Sequence, residues 1–262
     1  MELREVMGRR RSIRFLNPHK PVEPEKIQLM FEASRIASHW GNVQSLRGIA
    51  VFRDSAPKEV TEALTIPLTG FQIHQAPVLI VWFLETAAVD VQSDRLRELC
   101  KAGALGYGEG KEKALEEQFI PIFDNILEML KAPGIGEVDC GQGIAQATLM
   151  AFDLGLGTCC LGTPHGEQIR QNLGMPESCR VLLIQTVGYP AESPEAGGQR
   201  PRLPFEELFH LNGYGDSFQR SQEVVDQLTR DQMFQAPAPL PWREAELEYL
   251  QKALDLKGNG LL

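Results

Sequence analysis

Four arginines, Arg9, Arg10, Arg11 and Arg14, fall within six positions of a chain whose net charge is −9. Guanidinium groups held this close repel one another unless an anion sits among them. A phosphate monoester would bring about two negative charges, and the planar fork of arginine matches it. Ser12 adds a hydroxyl donor. Two other readings stay open on these residues alone: a solvated face paired with surface carboxylates, worth little energetically, and a nucleic-acid contact, which the acidic balance disfavours.

Three further segments carry polar chemistry. The loop Ser38-His39-Trp40-Gly41-Asn42-Val43-Gln44 offers amides that both donate and accept, as the alternating edge of a flavin ring requires; it also reads as an ordinary glycine turn. Gly155-Leu156-Gly157-Thr158-Cys159-Cys160-Leu161-Gly162-Thr163-Pro164 lacks the dinucleotide spacing. It reads as the end of one helix, a short strand, and a new helix opening at Thr163-Pro164, whose free N–H groups could bond an electron-accepting nitrogen. Arg200-Pro201-Arg202 is a dibasic surface loop, or the second half of a phosphate clamp. No H-E-x-x-H, nucleophile elbow or P-loop occurs, so zinc, serine-hydrolase and P-loop chemistry have no residues to work with. The five cysteines form no C-x-x-C pair. They read as reduced and mostly buried, with Cys159 and Cys160 as packing residues.

These segments need elements to hold them. Pro24 suits the first turn of a helix reaching about Ser38, with Ile27, Met30, Phe31 and Ser34 on its buried side. Strands are expected at Ile49–Phe52, Ala76–Leu84 and Val181–Val187, the second buried on both faces. Helices are expected over 93–105 and 111–130, joined by a glycine-rich link. Asp139 reads as the N-cap of a helix to about 154. Its small residues, Gly141, Gly143, Ala145, Ala147 and Ala151, cost helix propensity unless another backbone packs close. After Pro204 comes a tail with helical patches at 205–211, 221–233 and 242–256. With 43% hydrophobic residues the chain can bury a sizeable core. No h-region follows Arg14 and no apolar run spans a bilayer, so a cytoplasmic protein without membrane or nucleic-acid partners is expected.

In this order the four pieces, Arg-Arg-Ser-Ile-Arg at 10–14, Ala-Ser-His-Trp-Gly-Asn-Val-Gln at 37–44, Gly-Leu-Gly-Thr-Cys-Cys-Leu-Gly at 155–162 and Val-Gly-Tyr-Pro to Arg-Pro-Arg at 187–202, resemble the FMN-dependent nitroreductase family over about Glu2–Leu208. The resemblance implies an α+β fold, an α/β/α sandwich with a mostly antiparallel sheet, in an intertwined homodimer with FMN at the interface. Residues 1–208 would form the FMN-binding domain, and 209–262 a helical extension packed on the partner subunit. It also implies site roles: Arg10, Arg11, Ser12 and Arg14 on the phosphate and pyrimidine side, Arg200 and Arg202 on the phosphate, Gly162 and Thr163 near flavin N5. Ser38, His39, Trp40, Asn42 and Gln44 would reach the FMN of the other subunit. The helix at 139–154 would be the central dimer contact. No side-chain catalytic base and no metal are implied. The implied activity is ping-pong hydride transfer from NADH or NADPH to a small electron-poor acceptor such as a nitroaromatic or quinone. Alternatives are a reductive dehalogenase, an ene-type reductase, a flavin-degrading enzyme of the same fold, or a non-catalytic flavin-binding protein. Ser38-His39 and Ser45-Leu46 stand where relatives often carry Pro-Ser and Pro-Trp, so the acceptor is open.

Overall fold

The structure is a computed structural model that describes residues 1–64 and 70–258. Four strands, β1 (Leu46–Phe52), β2 (Val78–Glu85), β3 (Gly157–Leu161) and β4 (Cys179–Gly188), pair antiparallel in the order β1-β2-β4-β3. All four were expected, to within a few residues. The central strand β2 is almost entirely apolar and is buried over seven of its eight positions, as a strand covered on both faces must be.

Alternation along β2 sends side chains to two separate cores. Leu79 and Val81 join Ile13, Leu16, Ile73, Ile169 and Ile184 on one face. Val78, Ile80 and Trp82 join Ile27, Met30, Ile144, Ala147 and Ala151 on the other. The first face is covered by short helices that include Lys58–Ala63, Gly70–Gln75 and Gly166–Asn172; the second by Pro24–Arg35 and the long helix Ile135–Asp153. The architecture is therefore an α+β, helix–sheet–helix sandwich.

The long helix is built for close approach. A Cβ on Gly143 would lie 2.4 Å from Leu46 and 3.0 Å from Ser34 Oγ, and one on Gly136 2.9 Å from Leu84. The helix therefore sits directly against Pro24–Arg35 and the sheet. Its opposite stripe is open: Val138 is 66% exposed, Gly141 and Ala145 are exposed, and a Cβ on Gly141 would meet nothing within 4 Å.

Two expectations need correction. Asp139 does not cap this helix, which starts a turn earlier at Ile135 behind Gly134, where Glu137 accepts the Gly134 N–H at 2.7 Å. The expected helix 111–130 is broken into Lys111–Ala114, a wide π turn Leu115–Phe119, Ile120–Asp124 and Leu127–Lys131. Pro121 explains the break, since its missing N–H and its ring disrupt the preceding turn. The extension beyond 208 is tied to its own chain at several points. Gln199 bonds Ala236 and Ala238 across a parallel bridge to Pro237. Gly8 lies so close to Gln232 and Met233 that a Cβ would stand 2.4 Å from their backbone. Leu250 is buried. Its first part stays open, with Phe209 51% and Tyr214 97% exposed. The last four residues of the extension lie outside the described residues.

Candidate cofactor site

The segment after the first helix (Leu3–Arg9) runs along the free edge of β3. Ser12 bridges Thr158 in parallel, and Ile13 N–H donates to Thr158 O at 2.9 Å. Gly157 permits this, because a Cβ there would stand 2.8 Å from Ile13. Asn17 N–H then donates to Tyr189 O, and Ala191 N–H to Phe15 O, each at 2.8 Å. These bonds fold 10–17 alongside 189–202, so the first and last polar motifs, nearly two hundred positions apart, meet at one edge of the sheet.

The result is a cluster of cations without partners. Among the described residues, none of Arg10, Arg11, Arg14, Arg200 and Arg202 has a carboxylate within ion-pair distance, whereas Arg9 turns away to Glu5. Burial lowers the pKa of Arg10, and Arg202 lowers it further. Burial also lowers Arg11, with Arg10, Arg200 and Arg202 adding to it. Arg200 is lowered by burial, then by Arg14 and Arg243. Burial first, and neighbouring arginines after it, thus disfavour the charged form of these three groups, a balance that a nearby anion would oppose.

The members differ in what they can offer. Arg11 is buried and spends part of its fork on backbone: Nη1 on Gly8 O at 2.6 Å and Arg10 O at 2.9 Å, Nε on Gly198 O at 3.3 Å. It ties the backbone of this segment, and no hydrogen bond among the described residues uses its Nη2. Among the described residues the Arg14 side chain makes one long 3.4 Å contact, to Ser12 O, and that of Arg202 one to its neighbour's carbonyl. Arg10 also borders an open cleft of about 500 Å³ between the first helix, the long helix and the sheet, with Met7, Ala145, Cys160 and Leu183 among its walls.

Gly162 and Thr163 follow β3, but the helix expected at Thr163 begins only at Gly166. Thr163 Oγ1 instead accepts the His165 N–H at 3.0 Å, a side-chain turn that delays the helix. Gly162 is exposed and a Cβ there would meet nothing within 4 Å, so its backbone is approachable.

The loop Ser38–Gln44 is brought elsewhere. No hydrogen bond or ion pair among the described residues joins it to the arginine cluster. Asp139 Oδ2 accepts the Trp40 N–H at 2.7 Å, and the Trp40 ring packs edge-on against Phe123 at 5.1 Å. Gly41, Asn42 and Gln44 all take left-handed φ, +53°, +55° and +56°, uncommon for the last of these and typical of loops whose shape is functional. His39 keeps a buried Nδ1 without a partner. Burial holds its pKa below the ordinary value, Asp139 opposing and Arg47 assisting. Ser38 is exposed, and Asn42 half-buried.

Sequence reading missed Glu192, Arg243 and the true role of Asp139. Glu192 is buried and accepts the N–H groups of Arg14 and Phe15 at 2.6 and 3.1 Å. An acid two positions after Pro190 carries no local signal for this. Four of the cysteines are buried and all are free, as read; Cys160, expected to pack, is exposed. Burial pushes the Cys140 thiol up to about 12, so it is chemically inert.

A family model described as "Nitroreductase family" matches residues 7–189. Among curated proteins, an NADPH-dependent oxidoreductase of Staphylococcus haemolyticus is 32% identical over 93 residues, 35% of this chain and 37% of that protein. An FMN reductase [NAD(P)H] of Bacillus subtilis is 26% identical over 199 residues, 74% of this chain and 68% of that protein. The first curated relatives are thus matched over about a third to two-fifths of their length. Among solved structures, a nitroreductase from Exiguobacterium sibiricum in complex with FMN superposes with a TM-score of 0.66 at 20% identity, over 81% of this chain and 98% of that one. NfrA2 of B. megaterium superposes with a TM-score of 0.57 at 20% identity over 97% of this chain and 85% of that one, a span that takes in most of the extension. With more than two thirds of its length under the family model and the same sandwich around the same sheet, this chain belongs to the nitroreductase family.

Proposed function

We propose that this chain is an FMN-dependent oxidoreductase that takes hydride from NADH or NADPH and delivers it to a small electron-poor acceptor such as a nitroaromatic or a quinone. The observation that carries this reading is the convergence of arginines without counter-ions on one edge of the sheet. A phosphate monoester supplies the missing charge. Arg10, Arg11, Arg14, Arg200 and Arg202, with the Ser12 hydroxyl, are the groups that would hold it, Arg11 through Nη2 while its other donors fix the backbone between them. Bound FMN supplies the hydride chemistry. The protein's part is to hold the phosphate, to wall the cleft with Met7, Ala145 and Leu183, to present the Gly162 and Thr163 backbone to the ring, and to exclude water. A cation at Arg14 favours negative charge nearby. No dedicated side-chain base is required.

The reading includes a homodimer. The open small-residue stripe of the long helix allows a second backbone to approach closely, and the arm carrying Phe209, 51% exposed, and Tyr214, 97% exposed, offers it further apolar surface. Ser38, His39, Trp40, Asn42 and Gln44, anchored on Asp139, would then serve the cofactor of the second copy. Among the described residues no helix is long and apolar enough to cross a membrane. We place the protein in the cytoplasm, where free thiols persist.

The test is direct. The purified protein should be yellow, release FMN on denaturation, sediment at twice the chain mass, and lose its visible flavin band when NADH or NADPH is added without oxygen. A colourless protein that takes up no FMN removes the proposal. Bound FMN that neither donor reduces turns it into a flavin-binding protein.

A further inference from the structure

The arginine cluster stands beside one fully buried carboxylate, and that carboxylate is claimed by the C-terminal extension. Glu192 has a side-chain exposure of 0% and lies 2.7 Å from Arg243 Nη1, itself 13% exposed. The contact is an ion pair whose N–H directions do not form an aligned hydrogen bond. The other oxygen of Glu192 takes the Arg14 N–H. Arg243 Nη1 also meets Glu246 at 2.6 Å, and Glu246 holds the Ser193 N–H at 2.6 Å.

The backbone around Arg243 is equally tied. Leu240 N–H donates to Gly197 O at 2.9 Å. Gly197, at φ +82°, lies so close that a Cβ would stand 2.6 Å from Arg243 Cδ, and a Cβ on Gly198, at φ +113°, would stand 2.8 Å from Ala238 N. The loop 192–199 therefore takes its shape from 236–246, and Arg200 follows directly.

We infer that Arg243 is a positioning residue for the anion site: it neutralises Glu192 and so leaves Arg14 and Arg200 free for the phosphate. A buried carboxylate without Arg243 would turn to the nearest free cations, because an unpaired buried charge is costly. Glu192 and Arg243 both act on Arg200 electrostatically, so the three charges form one coupled set. The extension thus belongs to the cofactor site although it need not touch the cofactor. This rests on the phosphate reading of the arginine cluster.

The experiment compares FMN with riboflavin, which lacks the phosphate, as ligands of the full-length apoprotein. Arg243→Ala should weaken FMN about tenfold, the size of one charge-assisted contact, and change riboflavin by less than about twofold, within the scatter of a neutral change. Arg243→Lys should recover most of the loss. Glu192→Gln added to Arg243→Ala should also recover it, by removing the competing charge. Glu192→Gln alone should bind FMN at least as tightly as the unaltered protein, which keeps the test alive if Arg243→Ala fails to fold. Equal weakening of FMN and riboflavin would reduce Arg243 to a structural strut and overturn the inference. So would an unchanged FMN affinity, or a loss on Glu192→Gln alone. Failure of the unaltered protein to prefer FMN over riboflavin would instead sink the phosphate reading itself.

Discussion

Arg97 and Arg10 are the same side chain in opposite circumstances. Arg97, on the exposed helix Gln92–Lys101, grips Glu116 at 2.7 and 2.9 Å and Asp94 at 2.8 Å. These partners raise its pKa well above the ordinary arginine value. Arg10 has no carboxylate partner and is lowered by burial and by Arg202. Arg170 repeats the first pattern, pulling Glu167 down to about 2. Many outer arginines of this acidic protein are thus paired, whereas Arg10, Arg14, Arg200 and Arg202 gather at one edge of the sheet with no carboxylate in ion-pair distance among the described residues. Exposed arginine pairs contribute little to stability; cations gathered without an acid repel one another, and a bound anion would relieve that repulsion.

The contrast can be broken most sharply through ligand affinity. Arg14→Ala and Arg200→Ala should each weaken FMN by about 2 kcal/mol, roughly thirtyfold, as expected for a hydrogen bond to a charged group. Arg97→Ala should leave the FMN dissociation constant unchanged in the same titration. Equal effects at the two sites would erase the distinction.

Salt should act next. Raising ionic strength from about 0.01 to 0.15 M shortens the screening length from about 30 to 8 Å. FMN binding, followed by fluorescence quenching, should weaken across that range while riboflavin binding holds steady. A parallel decline of both would show that the cluster does not read the phosphate charge.

Stability should separate the two regions in sign. Arg10→Gln relieves repulsion and should raise the melting temperature of the apoprotein by about 1–2 °C. Arg97→Gln removes a paired cation and should lower it slightly. With FMN saturating, the advantage of Arg10→Gln should reverse, because ligand binding stabilises the unaltered protein more.

The smallest effect concerns pH. Glu167 ionises more readily in the folded chain, about 2 against an ordinary 4.5. Between those values the unfolded chain holds more protons, so stability rises with pH there. The contribution is complete above 4.5 and is lost as pH falls through 2. Glu167→Gln should flatten that part of the urea midpoint profile. An unaltered slope would mean that the ion pair with Arg170 is not kept in solution.

Strand placement was legible because period and composition suffice: β2 is apolar throughout, and the buried side of Pro24–Arg35 carries Ile27, Met30 and Ser34 as its spacing requires. The break at Pro121 was also written in the chain, and the expectation of an unbroken 111–130 helix overlooked it. Asp139 was misread for a different reason. A carboxylate before a helical run looks like a cap, and only the arrival of Trp40 from a hundred positions away gives it another N–H to hold. The late start of the helix after Thr163 followed from a hydroxyl bonding its own backbone, which no periodicity reports.

What the chain determined by itself is the set of local identities: arginine-rich segments in an acidic chain, a strand apolar on both faces, and a helix of small residues. These follow from side-chain size, charge and backbone freedom within a few residues. Which distant pieces meet was settled only by folding. The pairing of Ser12 with Thr158, of Arg14 with Glu192, and of Glu192 with Arg243 depends on how the sheet edge, the loop 192–199 and the extension pack. Contact between such segments is a property of the whole packed chain, and no spacing in the sequence encodes it.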